Sequence, residues 1–336
     1  MDVRTQAVLR LAFGATFAFV LAEFAEWPMT FLPPVFFVVL LTNIPGTPTP
    51  KLVLNFSMLV AASALIAILL GVTLRHTPVI LFGITALMVF RLTYAIGMGA
   101  GPMGPVMLMI CITTVPVVAL QSTFVAGQFA LTLARAAAVA SLTVLMVSLL
   151  WPKFAPPKVA PKPLPRRPAL ALRNAVLATA ILAPLMLMYL MFGNVAGLPA
   201  LVATVMIVAS LDVRASRKQA LGYVAANLAG GIFSIVLILA MVLNPSLATF
   251  TLVTLAASLI AGWRITRGDA VGALMVVALN ACIIVLSSSI GASSGIIEVW
   301  LTRLSQFLMA AAVSAGMMAL LWPRDTQATK TVETHK

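Results

Sequence analysis

The chain has 336 residues, 62% apolar and only 9% charged, with a mean hydropathy of +1.12 and a formal charge of +13. So little charge cannot cover a surface in water, whereas about 20 apolar residues cross a bilayer as one helix; a water-soluble fold is excluded and about a dozen crossings fit. The basic residues flank apolar runs and do not line a face interleaved with aromatics, which argues for a membrane surface and against nucleic acid as their partner.

The N-terminus, Met1 to Arg10 followed by an apolar run to Ala22, resembles a signal peptide. The run ends in Glu23 and Glu26 without a small-residue cleavage site, and more apolar runs follow, so it reads as a retained first helix. Apolar runs between charges and Gly/Pro breaks predict spans at 7–26, 29–44, 52–73, 78–97, 104–122 and 128–150, then 173–192, 197–211, 219–242, 247–263, 270–290 and 299–321. Each set of six closes on the same tetrapeptide, Leu149-Leu150-Trp151-Pro152 in the first and Leu320-Leu321-Trp322-Pro323 in the second. At a slightly smaller offset, Leu32-Pro33 matches Leu198-Pro199, Lys51 matches Lys218, and Pro78 matches Pro245. An even number of crossings per copy makes both copies enter from one side, so the expected fold is an all-α integral membrane protein of about twelve transmembrane helices in two parallel six-helix repeats. Residues 1–151 form the first repeat, 152–172 a linker, 173–323 the second repeat, and 324–336 a polar tail.

The linker holds seven prolines and five basic residues, Lys153, Lys158, Lys162, Arg166 and Arg167, with no acid. That composition favours an extended tether suited to anionic lipids, or a docking motif for a cytoplasmic protein. Placing the N-terminus in the cytoplasm puts seventeen of the twenty-one Lys/Arg on the inner side and only Arg75 in an outer loop. Both termini are therefore expected on the cytoplasmic side.

No phosphate-binding G-x-x-x-x-G-K-[ST] and no H-E-x-x-H occurs, and with His76 and His335 as the only histidines there is no plausible catalytic Ser/His/Asp set. Cys111 and Cys282 lie in apolar runs and read as small packing residues. The chain thus reads as a non-enzyme without metal or cofactor.

Transport chemistry has more to work with. Pro33, Pro34 and Pro199 open unusually short apolar segments at matching places in the two sets, which is a pointer to a transporter's midplane site or simply the first turn of each helix. The stretch from Gly97 to Pro105 is either a tight connection or irregular backbone lining a cavity. Ionisable groups inside spans are costly, which singles out Arg91, Arg135 and Arg303. Counted back from Trp151 and Trp322, Arg135 and Arg303 differ by less than one helical turn, which places them on nearly the same face of equivalent helices. A guanidinium fork suits a carboxylate, so these three are candidate ligands for anionic cargo, against the alternative that they snorkel to an interface. Tyr94 and Asn280 are further binding or relay candidates, and Glu23, Glu26 and Glu298 are the candidates for proton coupling.

The opening LRLAFGATFAFVLAEFAEWP (Leu9 to Pro28), the following FLPPVFFVVLLTNIPGTP (Phe31 to Pro48), the sixfold grouping and the LLWP endings resemble the fusaric-acid-resistance and aromatic-acid-exporter superfamily, in its compact bacterial form. The resemblance implies an efflux component of the bacterial inner membrane that exports aromatic or other organic acids, often with a periplasmic adaptor of the membrane-fusion type, and the absence of an ATP-binding motif makes an ion gradient its expected drive. Larger relatives insert a soluble cytoplasmic domain after each set of six, which this chain lacks. A passive anion channel and a non-transporting membrane scaffold for an adaptor are the alternatives, and a homo-oligomer is left open.

Overall fold

The computed structural model describes residues 1–44, 46–101, 103–154, 168–192, 198–209 and 216–289, with Leu301, Ser305, Leu308, Met309 and Gly316. Among the described residues every regular element is a helix: α1 (Val3–Phe24), α2 (Leu32–Asn43), α3 (Pro50–Thr73), α4 (Pro78–Gly97), α5 (Met103–Gln121), α6 (Thr123–Leu150), α7 (Pro168–Phe192), α8 (Leu198–Ala209), α9 (Ser216–Leu243), α10 (Leu247–Ile265) and α11 (Ala270–Ser289). Nine of these are long and apolar enough to cross a bilayer, so the chain is a multi-pass membrane protein. The span expected at 299–321 lies outside the described residues.

Local chemistry sets the ends. Asp2, Thr49, Ser122 and Ser246 each accept a hydrogen bond from the first turn that follows them, and proline opens α2, α3 and α4 where its missing N–H costs nothing. Beyond α4 and α10 the chain turns on Gly99 and Gly268, at φ +91° and +67°, a left-handed backbone that glycine adopts without strain. Helix α7 begins at Pro168, so the stretch 168–172, expected in the linker, is helical.

One expected span is shorter than a full crossing. α2 has 12 residues, about 18 Å of helix against a hydrocarbon core of about 30 Å, and α8 is described over 12 residues. α2 is nonetheless packed nearly all round, with Leu32, Pro33, Pro34 and the run Phe36–Leu40 buried. It runs back alongside α1, with Phe37 seated on Gly14.

Hydrogen bonds fix which ends share a side. The buried Arg10 of α1 donates from Nη1 to the carbonyls of Trp151 (2.6 Å) and Lys153 (2.9 Å), and its guanidinium lies 3.6 Å from the Phe154 ring centre. Gln6 Oε1 accepts from the Lys153 amide at 2.9 Å. The start of α1 and the end of α6 therefore lie together.

The packing pairs exchange helices between the two halves of the chain. α1 packs on α2, α2 on α11, α11 on α10, and α10 back on α1, closing a ring of four. α7 packs on α8, α8 on α5, α5 on α4, and α4 on α7, closing a second ring. Thus α1 finds its main partner in α10, and α7 finds its own in α4. Small residues let these backbones approach: a side chain on Gly97 of α4 would meet Ala171 Cα of α7 at 3.0 Å, and one on Gly262 of α10 would meet the Val8 carbonyl of α1 at 3.4 Å. α3 and α6 flank the rings, joined by Ser141 Oγ donating to the Val53 carbonyl (3.1 Å) and Ser57 Oγ to Ser141 Oγ (2.7 Å). α9 lies on α11 so closely that Gly230 admits no Cβ beside the Ala278 carbonyl.

Candidate functional site

In an apolar bundle a hydroxyl ordinarily returns its proton to the carbonyl one turn back, so that no polar group is stranded. Thr85, Thr93, Thr113, Thr114, Thr132 and Thr143 all do this, at 2.7–2.8 Å. Thr16 of α1 and Thr254 and Ser258 of α10 do not: each is at most 5% exposed and its hydroxyl oxygen has no partner among the described residues. The two helices are antiparallel, since Gly262 lies at Val8 and Leu11 while the Phe250 ring packs edge-on against Phe19, 4.8 Å between centres. This register sets Thr16 level with Thr254 and Ser258 one turn away.

The same ring carries further stranded atoms. Glu23 Oε2, at the C-terminal end of α1, is buried without a partner, and so is Asn280 Oδ1 in the middle of α11. Arg4 Nε, at the start of α1, is another, although its Nη2 donates to the Trp263 carbonyl at 3.1 Å. Thr30, just before α2, shares a hydrogen bond of 2.7 Å with Ser287 near the end of α11. The α1–α2–α10–α11 ring thus holds six of the eight buried, unpartnered polar side-chain atoms among the described residues. The second ring holds the other two, Asn174 Oδ1 and Tyr189 Oη of α7. Buried polar atoms without partners mark where water, an ion or a substrate completes the bonding.

The sequence-derived candidates divide between these places. Pro33 and Pro34 lie in the first turn of α2, and Pro199 is the second residue of α8. Glu23 and Asn280 fall in the first ring. Tyr94 is half-buried on α4 with its ring stacked on Phe90, 6.5 Å between centres. Glu26 is exposed in the turn after α1, at φ +51°. Glu298 and Arg303 lie outside the described residues.

Arg91 and Arg135 are both exposed, without a hydrogen bond or ion pair among the described residues. Arg91 continues the outward stripe Val79, Gly83, Leu87 at i+4 steps along α4. α4 packs on α7 and α5, whereas α6 packs on α1, α2, α3 and α5, so the two guanidinium groups sit on separate helices that share only α5 as a neighbour. The buried guanidinium is instead that of Arg10, which sequence reasoning counts among the flanking charges. Its signal is present in the repeat: Leu9-Arg10 recurs as Leu172-Arg173, and Cys282 follows Cys111 at the same offset as the second LLWP follows the first.

A family model described as a protein of unknown function, DUF2955, matches residues 7–150, ending on the last residue of α6. No curated protein and no solved structure matches the chain.

Proposed function

We propose that the chain is a twelve-helix secondary transporter of the bacterial inner membrane, exporting organic acids through the α1–α2–α10–α11 ring with Glu23 as the proton-coupling group. Its architecture is two parallel six-helix repeats with both termini cytoplasmic. Reciprocity supports the repeat: the first, second, fourth and fifth helices of each set occupy the same roles in the two rings. The contact of Arg10 with the end of α6 supports an even count per set. The family match to one set alone is in keeping with a six-helix unit. Proline-started helices at matching places, the first of them short and buried among longer ones, are the arrangement that places transporter sites near the midplane.

The observation that carries the reading is the concentration of stranded polar atoms in one ring. Its lining offers hydroxyls, an amide and a carboxylate, with Arg91 and Arg135 elsewhere, so an acid is received in its protonated, neutral form. The acid cargo and a periplasmic adaptor of the membrane-fusion type follow from the resemblance to acid exporters. The test is proteoliposome export of a panel of aromatic and aliphatic carboxylic acids under an imposed pH gradient. Gradient-dependent export that Glu23→Gln abolishes is expected; accumulation of every acid unchanged by the wild-type chain overturns the proposal. The outward arginines favour a second reading, a membrane scaffold, under which purified protein moves nothing; single-channel current steps would instead identify a passive anion channel.

A further inference from the structure

The exposed face of α6 carries a charge where a bilayer tolerates it least. The helix has 28 residues, about 42 Å, and Arg135 lies within about 2 Å of its midpoint. Phe124, Gln128, Leu131, Arg135, Ala138, Leu142 and Leu149 fall on one stripe at steps of three, four and seven, all exposed. Phe124, Leu142 and Leu149 are 74%, 67% and 83% exposed, so nothing among the described residues covers the stripe. Apolar residues at alternating steps of three and four make a seam for another helix. Left in lipid, the guanidinium at mid-span carries an uncompensated desolvation cost. A carboxylate at the same depth removes that cost through a paired, charge-assisted hydrogen bond.

The chain cannot supply that carboxylate from a second copy. Its eight acids are Asp2, Glu23, Glu26, Asp212, Asp269, Glu298, Asp325 and Glu333. Asp2 and Asp269 cap helix starts, Glu23 and Glu26 lie at the end of α1, and the other four fall between or beyond the apolar runs of the sequence. None is at mid-span. We infer that the α6 stripe docks a membrane-spanning helix of a different protein, bearing one Asp or Glu near its centre. Gln128, two turns towards the start of α6, gives the same seam an amide that fixes register.

The test needs no transport activity. The full chain, labelled at Gln121→Cys, is reconstituted in vesicles with a dye-labelled synthetic transmembrane helix, leucine-rich, with Glu, Gln or Leu at its centre. Energy transfer reads association, and a size-exclusion profile with a melting curve shows that each variant is folded. Expected are saturable transfer to the Glu helix and about tenfold weaker association both for the Leu helix and for Arg135→Gln. Arg135→Lys should retain part of the affinity, and Leu142→Trp on the same seam should lower it. Equal association of the three helices, or full association with Arg135→Gln, overturns the inference, as does no association at all, which is the result for a snorkelling arginine. Transfer between two copies of the chain that Arg135→Gln abolishes also overturns it, because the occupant would then be the chain itself.

Discussion

Removing the Arg10 guanidinium tests the closure of the first six helices where α1 begins and α6 ends. In Arg10→Met the apolar stem remains, while two charge-assisted hydrogen bonds to the Trp151 and Lys153 carbonyls and the contact over Phe154 are lost. One nitrogen serves both carbonyls, and at the end of α6 water partly replaces it, so the loss is about 3 kcal/mol and not the full sum of the separate bonds. That is roughly a hundredfold in the local opening equilibrium. Hydrogen–deuterium exchange of the protein in nanodiscs should show the Lys153 amide, which donates to Gln6 Oε1, exchanging about a hundred times faster. Arg10→Lys keeps the charge without the fork and should fall between. Exchange over 151–154 that is unchanged in Arg10→Met would refute the clamp, since the Lys153 amide rests on the same docking of α1 against the end of α6.

Other outcomes follow from the same contacts. Gly230→Val sets a side chain against the Ala278 carbonyl and should lower stability by about 1–3 kcal/mol, read as a drop in melting temperature, whereas the same change at Gly83, where a Cβ meets nothing, should have little effect. Thr254→Val removes a buried hydroxyl that has no partner, so melting temperature should hold or rise by the equivalent of about 1 kcal/mol while acid export falls severalfold. A fall in melting temperature with export intact would count against a site in that ring. Alkaline phosphatase inserted in the 155–167 segment should be inactive and at Arg75 active; the reverse would invert the orientation.

Helix positions are legible because Gly, Pro and charge interrupt the apolar runs; the pattern gives 78–97 to the residue and most other ends to within about one turn. Partners are not legible. Lipid is as apolar as the interior, so both sides of α4 or α6 are built from the same residue types, and nothing in the pattern tells whether Arg91 or Arg135 faces in or out. Length misleads at 29–44, where apolar flanks extend a run whose helical part is 12 residues. The ring exchange is unreadable because it depends on contacts such as α1 with α10, from opposite ends of the chain. Glu23 and Asn280 are found by asking which groups could carry or relay a proton; Thr16, Thr254 and Ser258 escape that search because a hydroxyl in a membrane helix usually satisfies itself.

The swapped pairing has a temporal consequence. α1 leaves the ribosome long before α10 exists: about 220 residues lie between Phe24 and Leu247, roughly 10–45 s of synthesis at ordinary speeds. Throughout that interval Thr16 and Glu23 have no helix to lie against, so the newborn first half waits in the bilayer with its seam open. Truncation after Leu150 would leave that seam open permanently, and such a fragment should be cleared by quality-control proteases while the complete chain survives.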